Sequence, residues 1–167
     1  MSTTTTGTSA AGSVTEEDLD PVFLLAATDP EAMKAMNTEL VAGFRAACGR
    51  LGGAFEGVPL LLLTTTGART GRRPTTPMNY TRLGQAYVVV ASKSGAPKHP
   101  DWYHNLLAHP QATIEVDGAT QRVSARVTSG CERQRLFDRH VEALPNFVVY
   151  QNRTTRQLPV VVLEPTG

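Results

Sequence analysis

No stretch of the chain approaches the roughly 20 apolar residues that a membrane-spanning helix requires. The longest apolar runs, such as Pro59 to Leu63 and Tyr87 to Ala91, are strand-sized. The first residues carry neither a basic head nor an apolar segment of signal-peptide length, so nothing argues for export and a cytoplasmic location is expected. Cysteine is scarce. Cys48 and Cys131 are far apart in helix-like surroundings and read as reduced, partly buried thiols rather than a disulfide. Neither a Cys-x-x-Cys nor a His-x-x-x-His pattern occurs. His99, His104 and His109 follow one another at five-residue steps, each a turn of roughly 140° around a helix, so they cannot share a face and no metal is expected. A net charge of +1 and an isoelectric point of 7.8 fall well short of the basicity of a nucleic-acid binder.

What remains is 167 residues, 41% of them apolar, enough for one domain with a sizeable core. The near-neutral total conceals segregation. Residues 58–105 hold six bases against one acid, Asp101, whereas residues 1–57 hold eight acids and three bases. A solvated basic face accounts for this, and so does an anion site, because focused positive charge raises the local concentration of anions.

Residues 1–15 are mostly Thr, Ser, Gly and Ala and are expected to be a disordered tail, with residues 16–167 forming the domain. Glu16 to Ala27 reads as a short helix. Asp29-Pro30-Glu31 reads as the N-cap, first-turn proline and first-turn acid of a second, whose Met33, Met36, Leu40, Val41 and Phe44 recur at helical spacing up to a stop at Gly49. Strands are expected over Val58 to Thr66, Arg73 to Tyr80, Ala86 to Ser92, Ala112 to Val116, Thr120 to Val127 and Leu158 to Glu164. Pro74 and Pro77 mark the second as an irregular edge strand. Pro100 to Leu107 reads as a short helix, Asp117-Gly118 as a type I′ hairpin turn, and Ser129-Gly130-Cys131-Glu132 as a capping box opening a helix to about Ala143. Connections this short forbid parallel crossovers, so the expected class is α+β: a mainly antiparallel small barrel with peripheral helices.

The turn Thr64 to Arg73 concentrates Arg69, Arg72 and Arg73 within five residues. It reads either as a polar hairpin loop or as an anion site in which planar guanidinium groups grip phosphate or carboxylate and Gly67 and Gly71 bring backbone N–H groups close. It lacks the Gly-Lys-Ser/Thr ending of a nucleotide-binding P-loop. Lys93 serves as a solubilising residue or as part of the same site. Ser92 lacks the elbow and acid–base partners of a nucleophile and suits hydrogen bonding better. Trp102, the only tryptophan, fits core packing more often than stacking.

Leu61-Leu62-Leu63-Thr64-Thr65-Thr66-Gly67-Ala68-Arg69-Thr70-Gly71, Thr75-Thr76-Pro77 and Val90 to Leu106 together resemble the deazaflavin-dependent nitroreductase family, which includes F420H2-dependent quinone reductases. The likeness covers about residues 37 to 164. It implies a split β-barrel binding coenzyme F420, whose reduced form donates hydride to a quinone, activated enone or nitroaromatic acceptor. It places the anionic tail against Ala68, Arg69, Thr70, Arg72 and Arg73, and the ring along Thr75, Thr76, Pro77, Met78 and Asn79 and along Val90, Ala91, Ser92 and Lys93. Trp102, Tyr103 and Asn105 match the segment that closes over the cofactor. Phe147 stands where one member has a tyrosine proposed to assist protonation, and it has no proton to give. That leaves Ser92, as hydrogen-bond donor to the acceptor oxygen, and Tyr150, as proton donor or substrate wall, as the candidate catalytic residues. Flavin mononucleotide on the same barrel, and a non-catalytic carrier of lipid or polyanion, are the rival readings. Split barrels of this kind allow a homodimer.

Overall fold

The computed structural model describes residues 14–167. The tail expected over residues 1–15 lies outside the described residues except for Val14 and Thr15. Seven strands form one antiparallel sheet: β1 (Leu60–Thr64), β2 (Thr75–Asn79), β3 (Thr81–Leu83), β4 (Ala86–Val90), β5 (Gln111–Val116), β6 (Ala119–Val127) and β7 (Val160–Pro165). Their spatial order is β2-β1-β5-β6-β7-β4-β3. The sequence suggests six strands. The seventh arises because the segment expected to end at Tyr80 continues as β3 and changes partners there.

Up to Asn79 this segment pairs with β1, and from Thr81 it pairs with β4 at the other end of the sheet. Two edges of the sheet are therefore one residue apart in the chain, so the sheet curls on itself as a split barrel. Pro77 sits in β2, which pairs only with β1, so its missing N–H leaves no ladder bond unmade.

Alternation builds two cores from the same strands. On β4, Tyr87 and Val89 face the barrel interior with Leu61, Leu63, Ile114, Val123, Val161 and Leu163, and Trp102 and Leu106 close that core. Ala86, Val88 and Val90 face the other way with Val160 and Val162, under Leu136, Phe137, Phe147 and Tyr150. Every residue of β4 is thus buried, which explains its unbroken apolar run. Each such valine or leucine contributes about 1.5–3 kcal/mol on burial.

The helices are α1 (Leu25–Thr28), α2 (Pro30–Ala46), α3 (Asp101–Ala108), α4 (Gly130–Ala143) and α5 (Asn146–Asn152). The helix expected from Glu16 to Ala27 is instead two 3-10 turns, Glu16–Asp18 and Pro21–Leu24, followed by one α-turn. Asp20-Pro21 interrupts it, since proline has no N–H to continue the ladder and the Asp20 carboxylate caps Val22 instead. Asp29 caps α2 as expected, accepting from the Ala32 N–H at 3.1 Å. Arg45 of α2 forms a two-pronged ion pair with Glu115 on β5, tying the helix to the sheet. Asp117 and Gly118 both have positive φ, 50° and 76°, as the type I′ turn demands.

Two further expectations fail. Ser129 is the N-cap of α4 without a side-chain bond, and Glu132 is drawn to Arg126 at 2.6 Å, so the capping box does not form. Both cysteines are exposed rather than partly buried. Among the described residues no helix is long and apolar enough to cross a membrane, and no group of three or more His, Cys, Asp or Glu side chains could hold a metal.

Candidate active site

A cavity of about 290 Å³ lies between α2, β2, the loop after β4 and the start of α5. One wall is Thr76, Pro77, Met78 and Asn79 of β2, and another is Val90, Ser92, Lys93 and Ser94. Trp102 on α3 and Phe147 and Tyr150 on α5 complete the lining. The cavity shares Asn37, Thr76, Lys93 and Asp101 with a wider cleft that is also lined by Pro74, Thr75 and Lys34. Pro74, the residue that follows the basic turn in the chain, is part of this lining.

The loop after β4 is built to an unusual backbone pattern. Lys93, Ser94 and Gly95 follow one another at φ values of 46°, 53° and 80°, and Ser92 before them is right-handed. A right-handed residue followed by a left-handed one turns successive N–H groups to one side, the arrangement of an anion-binding nest. Left-handed lysine and serine are disfavoured on their own, so the surroundings must impose the conformation. Arg156 does most of this, donating to the carbonyls of Ala96 at 2.9 Å, Ala91 at 3.1 Å and Ser92 at 2.8 Å, with His99 Nδ1 at 3.0 Å from its guanidinium. Burial pulls the guanidinium below its usual pKa, with no carboxylate beside it to compensate. Ser94 Oγ donates to the Phe23 carbonyl at 2.7 Å, pinning the loop to the N-terminal turn. Gly95 fits where a Cβ would stand 2.5 Å from the Tyr150 carbonyl. Only glycine lets the loop lie this close to α5.

Within the loop, the Ser92 N–H donates to the Val90 carbonyl and the Ser92 carbonyl accepts from Gly95. The Ser92 hydroxyl is the part of this residue left for a ligand. Tyr150 is buried, and its phenol oxygen accepts from Asn146 Nδ2 at 2.9 Å. That bond occupies a lone pair and leaves the O–H proton to point elsewhere. Burial raises the phenol above its usual pKa, so it stays protonated at neutral pH. Phe147 meets Tyr150 edge to face at 5.1 Å and, on its other side, the ring of His140 at 4.5 Å.

The turn Thr64 to Arg73 closes on itself. The Gly67 N–H donates to the Arg72 carbonyl at 2.6 Å and the Gly71 N–H to the Gly67 carbonyl at 3.0 Å, so neither glycine N–H is free for a ligand. Asn105, reaching from α3, accepts from the Ala68 N–H and donates to Thr65 Oγ1, both at 3.0 Å. Ala68, Arg69, Thr70 and Arg72 lie exposed on this turn, as does Arg73, whose guanidinium also contacts Thr66 Oγ1 at 3.3 Å.

Of the residues singled out in the sequence, Thr76, Pro77, Met78, Asn79, Val90, Ser92, Lys93, Trp102, Phe147 and Tyr150 meet in the inner cavity, and Thr75 lines the outer cleft. Ala91 is fully buried in the barrel core. Tyr103 packs against the rings of His99 and His104. Asn105 acts through the turn it holds. Trp102 both packs in the core and lines the cavity. The apolar wall from Phe23, Met33, Met36, Leu40 and Phe55 was not singled out as part of the site, although Met33, Met36 and Leu40 carry the helical spacing that marks such a face. Arg156 gave no local signal.

This set suits a flat anionic cofactor with a second ring beside it. It has apolar and aromatic walls, a lysine and a nest at one edge, and a buried amide oxygen, Asn37 Oδ1, without a partner among the described residues; the arginines of the turn before β2 are exposed. The antiparallel split barrel with its cavity beside the loop after β4 defines the class of the protein. A family model described as F420H(2)-dependent quinone reductase matches residues 36–165. The F420H(2)-dependent quinone reductase Rv1261c of Mycobacterium tuberculosis is 43% identical over 124 residues, spanning 72% of this chain and 83% of its own length. A solved structure described as an F420-H2 Dependent Reductase (FDR-A) is similar at a TM-score of 0.59 and 37% identity, covering 64% of this chain and 94% of that one. Another, described as a domain-swapped dimer, has a TM-score of 0.61 and 32% identity, covering 81% of this chain and all of its own. The chain belongs to the F420H(2)-dependent quinone reductase family.

Proposed function

We propose that the protein is an oxidoreductase that uses reduced coenzyme F420 to transfer hydride to an electron-poor small molecule: a quinone, an activated enone or a nitroaromatic. The observation that carries this reading is the meeting, in one cavity, of the β2 wall, the left-handed loop at Ser92 and Lys93, and the protonated Tyr150. When bound, the coenzyme supplies the hydride.

The chain's own residues supply placement and charge. Arg69, Arg72 and Arg73 on the exposed turn before β2, with Lys93 in the cavity wall, attract the phosphate and carboxylates of the coenzyme tail. Thr76 to Asn79 and Val90 give the ring a flat wall, and Trp102 and Phe147 bound it. The Ser92 hydroxyl and the N–H groups of Lys93 and Ser94, which unlike those of Ser92 and Gly95 are not used within the loop, donate hydrogen bonds to the acceptor oxygen on which negative charge builds. Fixed dipoles of this kind stabilise such charge without reorganising. Tyr150, whose oxygen is already held by Asn146, has its proton available for the same oxygen. The methionines Met33, Met36 and Met78 make the acceptor wall adaptable, which favours a range of flat acceptors over one. A homodimer is part of this reading, supported by the assembly named for one similar structure.

The test is to mix purified protein with reduced coenzyme F420 and a panel of quinones, enones and nitroaromatics while following coenzyme fluorescence. Oxidation that depends on protein and acceptor is expected. A protein that binds flavin mononucleotide and ignores the deazaflavin, or binds neither, removes the proposal.

A further inference from the structure

Along α2, the residues that line the inner cavity are Met33, Met36, Asn37 and Leu40, spaced as one helical face. Three are apolar and one is an amide. Asn37 lines both the inner cavity and the outer cleft, so it stands at the neck between them. Its Oδ1 is shut off from water and has no hydrogen-bond partner among the described residues. Asparagine is a poor helix former, and an amide oxygen buried without a donor is unfavourable. A leucine at this position would complete the stripe at no such cost. Among the described residues the protein gives this oxygen no donor, and a turn of the amide about its broad terminal torsion brings the oxygen to a ligand in the cavity.

We infer that Asn37 recognises the acceptor, with its Oδ1 accepting the hydroxyl proton of a ring-hydroxylated substrate or of the hydroquinone formed from a quinone. The inference rests on the reductase reading for the identity of the ligand. The coenzyme is assigned to the β2 wall and the loop at Ser92 and Lys93, whereas Asn37 belongs to the α2 wall, whose residues in the inner cavity are all uncharged, leaving the acceptor as its neighbour there. The terminal torsion of asparagine is broad, so the amide turns to present Nδ2 to a quinone carbonyl and Oδ1 to the hydroxyl that replaces it. Asn37 thus selects among flat acceptors by their oxygen groups, a choice that the methionine wall around it cannot make.

Binding alone tests this, without turnover. Purified wild type and Asn37→Leu are titrated with 2-naphthol, with naphthalene and with oxidised coenzyme F420. The expected result is that Asn37→Leu weakens 2-naphthol binding about tenfold, the worth of one buried hydrogen bond, and leaves naphthalene and the coenzyme unchanged. Unchanged naphthalene affinity also shows that the cavity has kept its shape. Equal loss for naphthol and naphthalene, no loss for either, or a loss for the coenzyme overturns the assignment. Failure of the reductase reading appears separately, as absence of coenzyme oxidation by a simple quinone in a protein whose naphthol preference is intact.

Discussion

Arg156 donates through Nη2 to the carbonyl oxygen of Ser92 at 2.8 Å, across 64 residues of chain. Together with its bonds to Ala91 and Ala96, this contact holds the left-handed loop that carries Lys93. Arg156→Gln strands at least two of these carbonyls. The expected loss is about 2–3 kcal/mol of stability, with coenzyme affinity reduced in the same protein. Urea denaturation and a fluorescence titration check the two effects.

Arg69 and Arg72 are exposed, and neither forms an ion pair among the described residues. Reversing both charges should leave stability within about 0.5 kcal/mol, as exposed substitutions do. Coenzyme binding should weaken by roughly 1.5–3 kcal/mol for each charge-assisted bond lost. The deficit should shrink as salt is raised, because screening already weakens the wild-type interaction. Unchanged affinity in the double variant would take the anionic tail away from this turn.

Tyr150→Phe separates proton donation from packing. The ring stays against Phe147, and only the hydroxyl and its bond from Asn146 are lost. Turnover should fall roughly 100-fold or more, the usual worth of a positioned acid, with coenzyme affinity unaltered. Stopped-flow oxidation of the reduced coenzyme reads the first, and equilibrium titration the second.

His140 is fully buried, bonded at Nδ1 to Thr81 Oγ1 at 3.0 Å, and burial lowers its pKa to about 4. The unfolded chain takes up this proton near pH 6.5, the folded one only near pH 4. Between those values the unfolded state binds more protons, so stability is complete above about pH 6.5 and falls as pH drops toward 4. The fall attributable to this residue is about 3 kcal/mol. His99, lowered by burial and by the charge of Arg156, acts in the same direction. Urea midpoints between pH 7 and 4 should show a shallower decline in His140→Leu.

The strands were legible because β-branched runs and turn residues mark them locally. Asp117-Gly118 and Asp29-Pro30 announced a hairpin and a helix start that the structure contains. Ser129 and Glu132 misled because a capping box competes with any stronger partner, and Arg126 offers Glu132 a full charge at 2.6 Å. Much of the site's lining was visible in the residues around Thr76 and Ser92. What holds it in place was not. Arg156 acts on carbonyls about 60 residues away, so no local pattern announces it, and Asn105, matched to the segment that closes over the cofactor, holds a turn about 40 residues away instead. Asn37 did leave a trace, a lone amide within the apolar spacing of α2.

The single residue Tyr80 separates the strand that walls the cavity from the strand that seals the far margin of the sheet. A molecule gripped by Thr76 to Asn79 therefore pulls on the seam of the cylinder as well as on its own pocket. Occupancy should be felt on the opposite rim, as slower exchange of the amide hydrogens of Thr81 to Leu83, in a place no ligand touches.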